Sequence, residues 1–166
     1  MRADKLSTLL QQALADAQSL ANQSDHPYIE PAHLLKAMLQ QADGPRSLLQ
    51  RAGVNLRALE DAADAALSRI APVQGGELQP GRDLVTLLQG AEKEASKRGD
   101  QFIASEMLLL ALADAKTDLA QAARSAGLTR KALEAAIDAV RGGAKVDSAE
   151  AEGQRIAGNS ADAAEG

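Results

Sequence analysis

The sequence predicts an all-α fold in which two related four-helix repeats form one compact eight-helix domain. Two observations predict it: apolar residues recur at helical spacing, and three stretches of sequence occur twice. The paired stretches are LSTLLQ and LVTLLQ (residues 6–11 and 84–89), IEPAHLLKAML and IASEMLLLALA (29–39 and 103–113), and AGVNLRAL and AGLTRKAL (52–59 and 126–133). A period of roughly 75 residues is too long for the common solenoid repeats, and two copies are too few for a stacked array. We therefore expect a pseudo-twofold relation between residues 1–72 and 79–143, with a seam between the halves that favours a binding surface.

Each repeat contains four predicted helices. Leucine and alanine recur at helical spacing from Leu6 onward, and Pro31 suits the first turn of a second helix. The run Asp43-Gly44-Pro45 breaks the chain before a short third helix. The predicted helices of the first repeat cover about residues 7–22, 31–41, 46–52 and 56–70, and the second repeat is expected to contain the same four.

Glycine and capping residues mark the turn between the third and fourth helix of each repeat. Gly53 and Gly127 favour a left-handed C-cap, and Asn55 and Thr129 can cap the following helix through a side-chain oxygen. These residues therefore have a structural reason for being alike in the two copies. Residues 71–81, with two prolines and three glycines, form a linker between the repeats.

The end of the chain has a different composition. Residues 144–166 are mostly small and acidic, with Val146 and Ile156 as sizeable apolar groups. Such a segment cannot bury enough apolar surface to offset the entropy of ordering it, so we expect a disordered acidic linker or tail. The predicted domain accordingly covers residues 1–143.

Composition excludes several classes of function. The net charge is −5, the basic residues are scattered, and Tyr28 and Phe102 are the only aromatic residues, which argues against nucleic-acid binding. Cysteine is absent, so disulfides and thiolate metal sites are excluded. No apolar run reaches the length of a signal peptide or a membrane span. We expect a soluble cytoplasmic protein without a membrane partner.

Motifs of catalysis are lacking as well. The sequence contains no phosphate-binding loop and no G-x-S-x-G turn. His26 and His33 are too few to hold a metal without convergent acidic ligands. Glu94 and Arg98 are expected to form an i,i+4 pair on a solvated helix face. We therefore assign no catalytic, cofactor-binding or metal-binding residue. An enzyme with an unrecognised site would need acidic residues with a raised pKa in the seam between repeats.

Several motifs together resemble a known family. The repeat copies YIEPAHLLKAML and RGDQFIASEMLLLAL, the opening MRADKLSTLLQQALADAQSLA and the linker GGELQP are similar to the amino-terminal domain of the Clp unfoldases. Within that family the opening, the linker and KRGDQFIASE most resemble ClpB disaggregases. The resemblance covers about residues 1–155, including KVDSAEAEGQR, and stops after Arg155.

The resemblance implies a non-catalytic recognition module. Such domains bind exposed hydrophobic segments of unfolded or aggregated polypeptides and present them to ATPase modules, which lie outside this sequence. ATP, Mg²⁺ and cooperation with the DnaK chaperone system belong to the parent protein, and hexamers form through the ATPase modules. The isolated domain is expected to be a monomer without a cofactor of its own.

The resemblance also implies site residues. A polar residue at Ser7, an aspartate at Asp100 and a glutamate at Glu106 are linked to client handling in the family. Each also suits a structural role, as a helix cap, a turn residue or a helix N-terminal acid. The predicted apolar lining of the binding groove is Leu84, Leu87, Leu88, Met107, Leu108 and Leu110. Where ClpB proteins typically have leucines, this chain has Gly90 and Glu94, which reduces apolar surface and adds charge.

A second function follows from other members of the family. ClpC and ClpA have similar domains that dock adaptor proteins, and in ClpC they bind phosphoarginine through a glutamate early in the second helix of each repeat. Glu106 occupies that position in the second copy, but Ala32 occupies it in the first. One of two phosphoarginine sites is therefore missing, and adaptor docking stays open as the alternative to client recognition.

Overall fold

The computed structural model describes residues 3–152, which form an all-α fold as predicted. Eight α-helices occur within these residues, and a 3₁₀ turn at Ala3–Lys5 precedes them. None of the described helices is long and apolar enough to cross a bilayer. The helices are α1 (Thr8–Gln23), α2 (Pro31–Gln40), α3 (Arg46–Arg51), α4 (Leu56–Ser68), α5 (Arg82–Arg98), α6 (Ser105–Asp114), α7 (Asp118–Ser125) and α8 (Arg130–Arg141).

Side-chain caps set where several helices begin. The Ser7 hydroxyl accepts a hydrogen bond from the Leu10 N–H at 3.2 Å and so caps α1. Asn55 and Thr129 cap α4 and α8 in the same way, as their spacing predicts. Each cap satisfies an N–H that has no partner within its own helix. The observed helix limits lie within two residues of those predicted for the first repeat.

Short backbone pairings join the two halves of the chain. Strand β1 (Tyr28–Ile29) pairs in parallel with strand β2 (Gln79–Pro80), and Leu6 pairs in parallel with Ile103. The start of α1 therefore lies beside the start of α6, and the start of α2 lies beside the start of α5. The duplicated turns also meet, because the Asn55 N–H donates to the Ala126 carbonyl at 2.9 Å. The twofold relation of the repeats itself stays a prediction.

The hydrophobic core is built from leucine and alanine of both halves. Helices α1 and α2 pack closely, and so do α5 and α6. Alanines on the inner face of α1 keep that helix close to its neighbour, and leucines fill the space between layers. Burial of each leucine contributes about 1.5–3 kcal/mol relative to leaving it in water. Fully buried members are Leu10, Leu34, Leu35, Leu59, Leu84, Met107, Leu108 and Leu109.

The prediction of disorder from residue 144 is wrong for residues 144–152, which we call the C-terminal strap. Val146 is completely buried, and its carbonyl accepts hydrogen bonds from the N–H groups of Gln101 and Phe102. The Ala149 carbonyl accepts from the Thr8 N–H at 2.9 Å. One buried valine and a series of backbone hydrogen bonds offset the ordering entropy that composition alone could not account for. The rest of the predicted tail, residues 153–166, lies outside the described residues.

Candidate functional site

A cleft of about 500 Å³ opens between α5 and the α6–α7 turn, and we call it the α5–α6 groove. Its floor is apolar, and charged side chains from both walls surround the mouth. The floor residues are Leu87, Gly90, Ala111, Leu112 and Ala115. A concave, largely apolar surface with a polar rim is the usual geometry of a binding site.

Gly90 lets the walls of the groove approach each other. A Cβ atom added at Gly90 would lie only 3.1 Å from the Cβ of Ala111 on α6. The absent side chain therefore permits close packing of α5 on α6 and leaves the floor of the groove flat. A leucine at this position would have to displace α6 slightly, so the departure seen in the sequence changes the shape of the groove as well as its apolar area.

Glu94 is buried and does not lie on a solvated helix face as predicted. Its carboxylate accepts a hydrogen bond from Arg130 Nη2 at 2.5 Å. Arg98, the predicted partner of Glu94, lies instead 3.5 Å from Asp138. Arg130 also bonds Asp114 at the end of α6, at 2.7 Å. Hydrogen bonds to Asp114 and Glu94 raise the pKa of Arg130 well above its ordinary value. Arg130 therefore ties α5, α6 and α8 together behind the groove and shares its one positive charge among three carboxylates.

Three lysines surround the mouth of the groove. Lys93 and Lys97 project from α5, and Lys116 lies in the turn after α6; all three are exposed. Lys97 Nζ lies 4.0 Å from Glu94 Oε1, and an ion pair this long and this exposed contributes little to stability. Asp83 is the acidic rim residue that Arg130 does not bind. The mouth therefore carries three basic and three acidic side chains, counting Glu94 and Asp114.

A second, smaller pocket of about 240 Å³ lies between α1 and α5. Leu14 from α1 and Leu88 from α5 contribute to its lining, and Val85 beside them is 41% exposed. Pro80 and Leu6 complete the apolar wall. An exposed valine next to half-buried leucines forms a modest apolar patch on this side of the domain.

The structure divides the predicted groove lining between surface and core. Leu87 lines the α5–α6 groove, and Leu88 lines the pocket between α1 and α5. Leu84, Met107 and Leu110 are completely buried in the hydrophobic core and line neither cleft, and Leu108 is buried with them. All of α6 is apolar on nearly every face, so periodicity could not separate its core positions from a surface stripe. Ala111, Leu112 and Ala115 were missed for the same reason.

The predicted polar trio comes together in one buried cluster. Arg141, at the end of α8, donates from Nη2 to Glu106 Oε1 at 2.8 Å and from Nη1 to Asp100 Oδ1 at 3.0 Å. Burial by itself lowers the pKa of Arg141, but Glu106 and Asp100 outweigh it and raise that pKa. The sequence analysis did not identify Arg141 as a site residue, because its place before two glycines indicates only the end of a helix. A phosphoarginine ligand would have to displace this internal guanidinium from Glu106, and no contact of the described residues favours that alternative.

Glu152 of the C-terminal strap completes this buried polar cluster. Its Oε2 accepts hydrogen bonds from the Ser7 hydroxyl at 2.5 Å and from the Ser105 N–H at 3.1 Å. Burial, and then the charge of Glu106, raise the pKa of Glu152 to about 7, while the two serines oppose the shift. Ser7 is itself completely buried. The trio is therefore covered by the strap, and each of its members has a structural partner.

The two histidines lie against each other at the start of α2. His26 Nδ1 and His33 Nε2 lie 2.8 Å apart, and the Glu30 N–H donates to His33 Nδ1 at 2.9 Å. Burial, and then His26, lower the pKa of His33 to about 4. Within residues 3–152, no cluster of three potential ligands for a metal occurs. The pair fixes the start of α2, since His33 acts there as part of a capping box.

Comparisons with known proteins agree with the resemblance drawn from the sequence. The family model for the Clp repeat (R) N-terminal domain matches residues 5–126. The chain is similar to the chaperone protein ClpB of Pseudomonas putida, with 43% identity over 160 residues, which covers 95% of this chain and 19% of that protein. It thus spans about a fifth of the length of the curated relatives it matches.

Solved structures show the same fold. The Hsp104 N-terminal domain from Candida albicans gives a TM-score of 0.75 at 22% identity, covering 89% of this chain and 99% of that one. The N-terminal domain of the ClpV1 ATPase from E. coli EAEC Sci1 T6SS gives 0.68 at 25% identity, covering 80% and 83%. With the matching family model and the eight-helix architecture, these findings show that the chain belongs to the Clp repeat N-terminal domain family.

Proposed function

We propose that this chain is the substrate-recognition module of a ClpB-like ATP-dependent disaggregase. Its α5–α6 groove binds exposed hydrophobic segments of unfolded or aggregated polypeptides. The observation that carries the proposal is the groove itself, whose apolar floor consists of the nearly covered Leu87 and Leu112 and of three half-buried small residues, Gly90, Ala111 and Ala115. The identity to ClpB proteins supports the same reading.

The groove suits weak and reversible binding. A client segment that removes about 200 Å² of apolar surface from water gains about 5 kcal/mol before the entropy of ordering the chain is subtracted. The small floor residues Gly90, Ala111 and Ala115 offer flat contact area without a deep pocket for one particular side chain. Such a surface accepts many sequences and releases them quickly, which a module that hands clients onward requires.

The rim carries charges of both signs. Three lysines, Lys93, Lys97 and Lys116, lie there beside three acidic residues, Asp83, Glu94 and Asp114. A client flanked by charge of one sign therefore meets both attraction and repulsion, and apolar contact with the floor supplies the affinity.

The remaining steps belong to the parent protein. Threading of clients by ATPase modules in the same chain, hydrolysis of ATP with Mg²⁺, cooperation with the DnaK system and action in the cytoplasm are proposed for that protein. The module itself binds without covalent chemistry. Supply of clients by docked adaptor proteins is the alternative, and it predicts binding of a folded partner in place of an unfolded one.

A charge placed on the groove floor tests the proposal. Ala115→Glu introduces a carboxylate among the floor residues, and Ala65→Glu introduces the same group on the exposed face of α4 as a matched control. The affinity for a fluorescently labelled, permanently unfolded polypeptide is measured by anisotropy, with thermal unfolding as a check of the fold. We expect Ala115→Glu to weaken binding about tenfold or more, since desolvation of one charge exceeds 1.4 kcal/mol. Equal affinity of the two variants would place the binding surface elsewhere.

A further inference from the structure

One wall of the α5–α6 groove is a short turn rather than a helix. Helix α6 ends at Asp114 and α7 begins at Asp118, and the turn between them supplies Ala115, Lys116 and Thr117 to the lining. The last carbonyl groups of a helix have no partner within that helix, so groups from elsewhere in the fold must satisfy them. The width of the groove therefore depends on what holds this turn against α5.

Two half-buried arginines hold the turn. Arg124 on α7 donates from Nη1 to the Ala113 carbonyl at 2.9 Å and to the Ala115 carbonyl at 2.8 Å. These hydrogen bonds satisfy two carbonyl groups at the end of α6. Arg130, the first residue of α8, donates from Nε to Asp114 Oδ2 at 2.7 Å. Neither arginine is among the residues that line the groove, so both act on the turn without touching its contents.

Arg130 also connects the turn to the other wall of the groove. Its Nη2 donates to Glu94 Oε1 on α5 at 2.5 Å, so one guanidinium bridges a carboxylate from each wall. The planar fork of a guanidinium bonds two carboxylates in fixed directions, which a compact ammonium group does not do. The distance between α5 and the turn is therefore set in large part by Arg130, with Arg124 fixing the backbone of the turn.

We propose that Arg124 and Arg130 are positioning residues, which set the affinity of the α5–α6 groove for clients by holding the α6–α7 turn in place. The inference rests on the proposed function of the groove and names two residues that govern it from outside the lining. Suppose that loss of one arginine leaves the turn in place for only about a tenth to a third of the time. The apparent affinity then falls about three- to tenfold, because only the competent fraction binds.

The first repeat supplies a matched control. Arg46 donates from Nη1 to the Leu39 carbonyl, near the end of α2, at 2.9 Å and to Glu60 Oε1 at 2.8 Å. It is half-buried and bonds a helix-end carbonyl and a carboxylate, which are the two kinds of partner that Arg124 and Arg130 have. The turn that follows α2, residues 41–45, contributes nothing to the lining of the groove. A general effect on stability is therefore expected for all three arginines, and an effect on the groove for two.

Client binding separates these roles in the variants Arg124→Met, Arg130→Met and Arg46→Met. Affinity is measured by anisotropy with a fluorescently labelled, permanently unfolded polypeptide, and thermal unfolding checks the fold. We expect Arg124→Met and Arg130→Met to bind about three- to tenfold more weakly, and Arg46→Met to stay within about twofold of the wild type. Arg130→Lys should recover part of the affinity, because it keeps the charge and bonds one carboxylate at a time. If Arg46→Met weakens binding as much as the other two variants, or if none of the three weakens it, the positioning role is overturned.

NMR relaxation of the backbone amides tests the turn without any client. Relaxation and relaxation dispersion together report motion on the ps–ns and μs–ms timescales. In Arg124→Met and Arg130→Met, the amides of Ala115, Lys116 and Thr117 should become more mobile than in the wild type, whereas the amide of the core residue Leu108 should not. Unchanged relaxation of the turn in both variants would overturn the positioning role.

Ala115→Glu distinguishes failure of this inference from failure of the proposed function. If Ala115→Glu weakens client binding and Arg130→Met does not, the groove binds clients and the positioning role is overturned. If Ala115→Glu leaves client binding unchanged, the proposed function fails, and the effect of the two arginines on affinity fails with it.

Discussion

Arg141 is a position at which one substitution should strongly reduce stability. Its guanidinium donates to Glu106 from Nε at 3.1 Å and from Nη2 at 2.8 Å, and to Asp100 from Nη1. The side chains of Arg141, Glu106 and Asp100 are only 5%, 6% and 0% exposed. Arg141→Met keeps most of the apolar stem of the side chain and removes the charge. The two buried carboxylates would then lose the guanidinium that bonds both of them.

The magnitude follows from the burial of the partners. Removing one member of a buried ion pair costs about 3–5 kcal/mol because the other charge is left uncompensated. For a domain of this size, each kcal/mol shifts the melting temperature by about 2–4 °C, so Arg141→Met should lower it by about 6–20 °C. Arg98→Met is the matched control, since Arg98 lies 3.5 Å from an exposed Asp138. An exposed pair contributes less than about 1 kcal/mol.

Thermal unfolding by circular dichroism, together with urea titration, measures both variants at pH 7. We expect Arg141→Met to be destabilised several-fold more than Arg98→Met, with an unchanged helical signal below the transition. A loss below about 1 kcal/mol for Arg141→Met, or equal losses for the two variants, would contradict the reasoning. It would mean that water or a rearranged strap solvates Asp100 and Glu106 as well as the guanidinium does.

Two further predictions concern acid stability and the seam between the repeats. The pKa of His33 is lowered to about 4, so the contribution of His33 to stability is present above pH 6.5 and is lost as the pH falls towards 4. Between pH 7.5 and 4.5, the free energy of unfolding of the wild type should therefore fall by on the order of 2 kcal/mol more than that of His33→Asn in urea titrations. An equal fall in the two proteins would contradict this. Gly127 has φ of +105°, and a Cβ there would lie 3.2 Å from the Gly53 carbonyl, whereas a Cβ at Gly53, with φ of +81°, would meet open space. In the same assay, Gly127→Ala should therefore lower the free energy of unfolding by about 2 kcal/mol or more, and Gly53→Ala by about 1 kcal/mol. The reverse order would show that the two turns do not pack against each other.

The architecture could be predicted from the sequence because local signals and the duplication agree. Pro31 at the start of α2 and the caps Asn55 and Thr129 all lie where spacing placed them, since a cap acts within three residues of its own position. The end of the domain could not be predicted in this way. Val146 is a single apolar residue in a polar segment, and only the fold shows the site that buries it.

The candidate site was predicted less well, for a physical reason. Leu87 and Met107 are both apolar residues at helical spacing, yet one lines a groove and the other lies in the core. Periodicity reports which residues leave water but does not report what covers them. The partners of the polar trio are equally non-local: Arg141 lies 35 residues from Glu106, and Glu152 lies 145 residues from Ser7. A single sequence holds no signal that pairs residues at such separations.

Binding of unfolded clients in the α5–α6 groove can be mapped by a residue-resolved NMR titration. The chain is titrated with a permanently unfolded polypeptide, and the backbone amide shifts are mapped onto the structure. We expect shifts that centre on Gly90, Ala111 and Ala115. Shifts confined to α3 and α4, or an unchanged spectrum at saturating client, would contradict binding of clients in this groove.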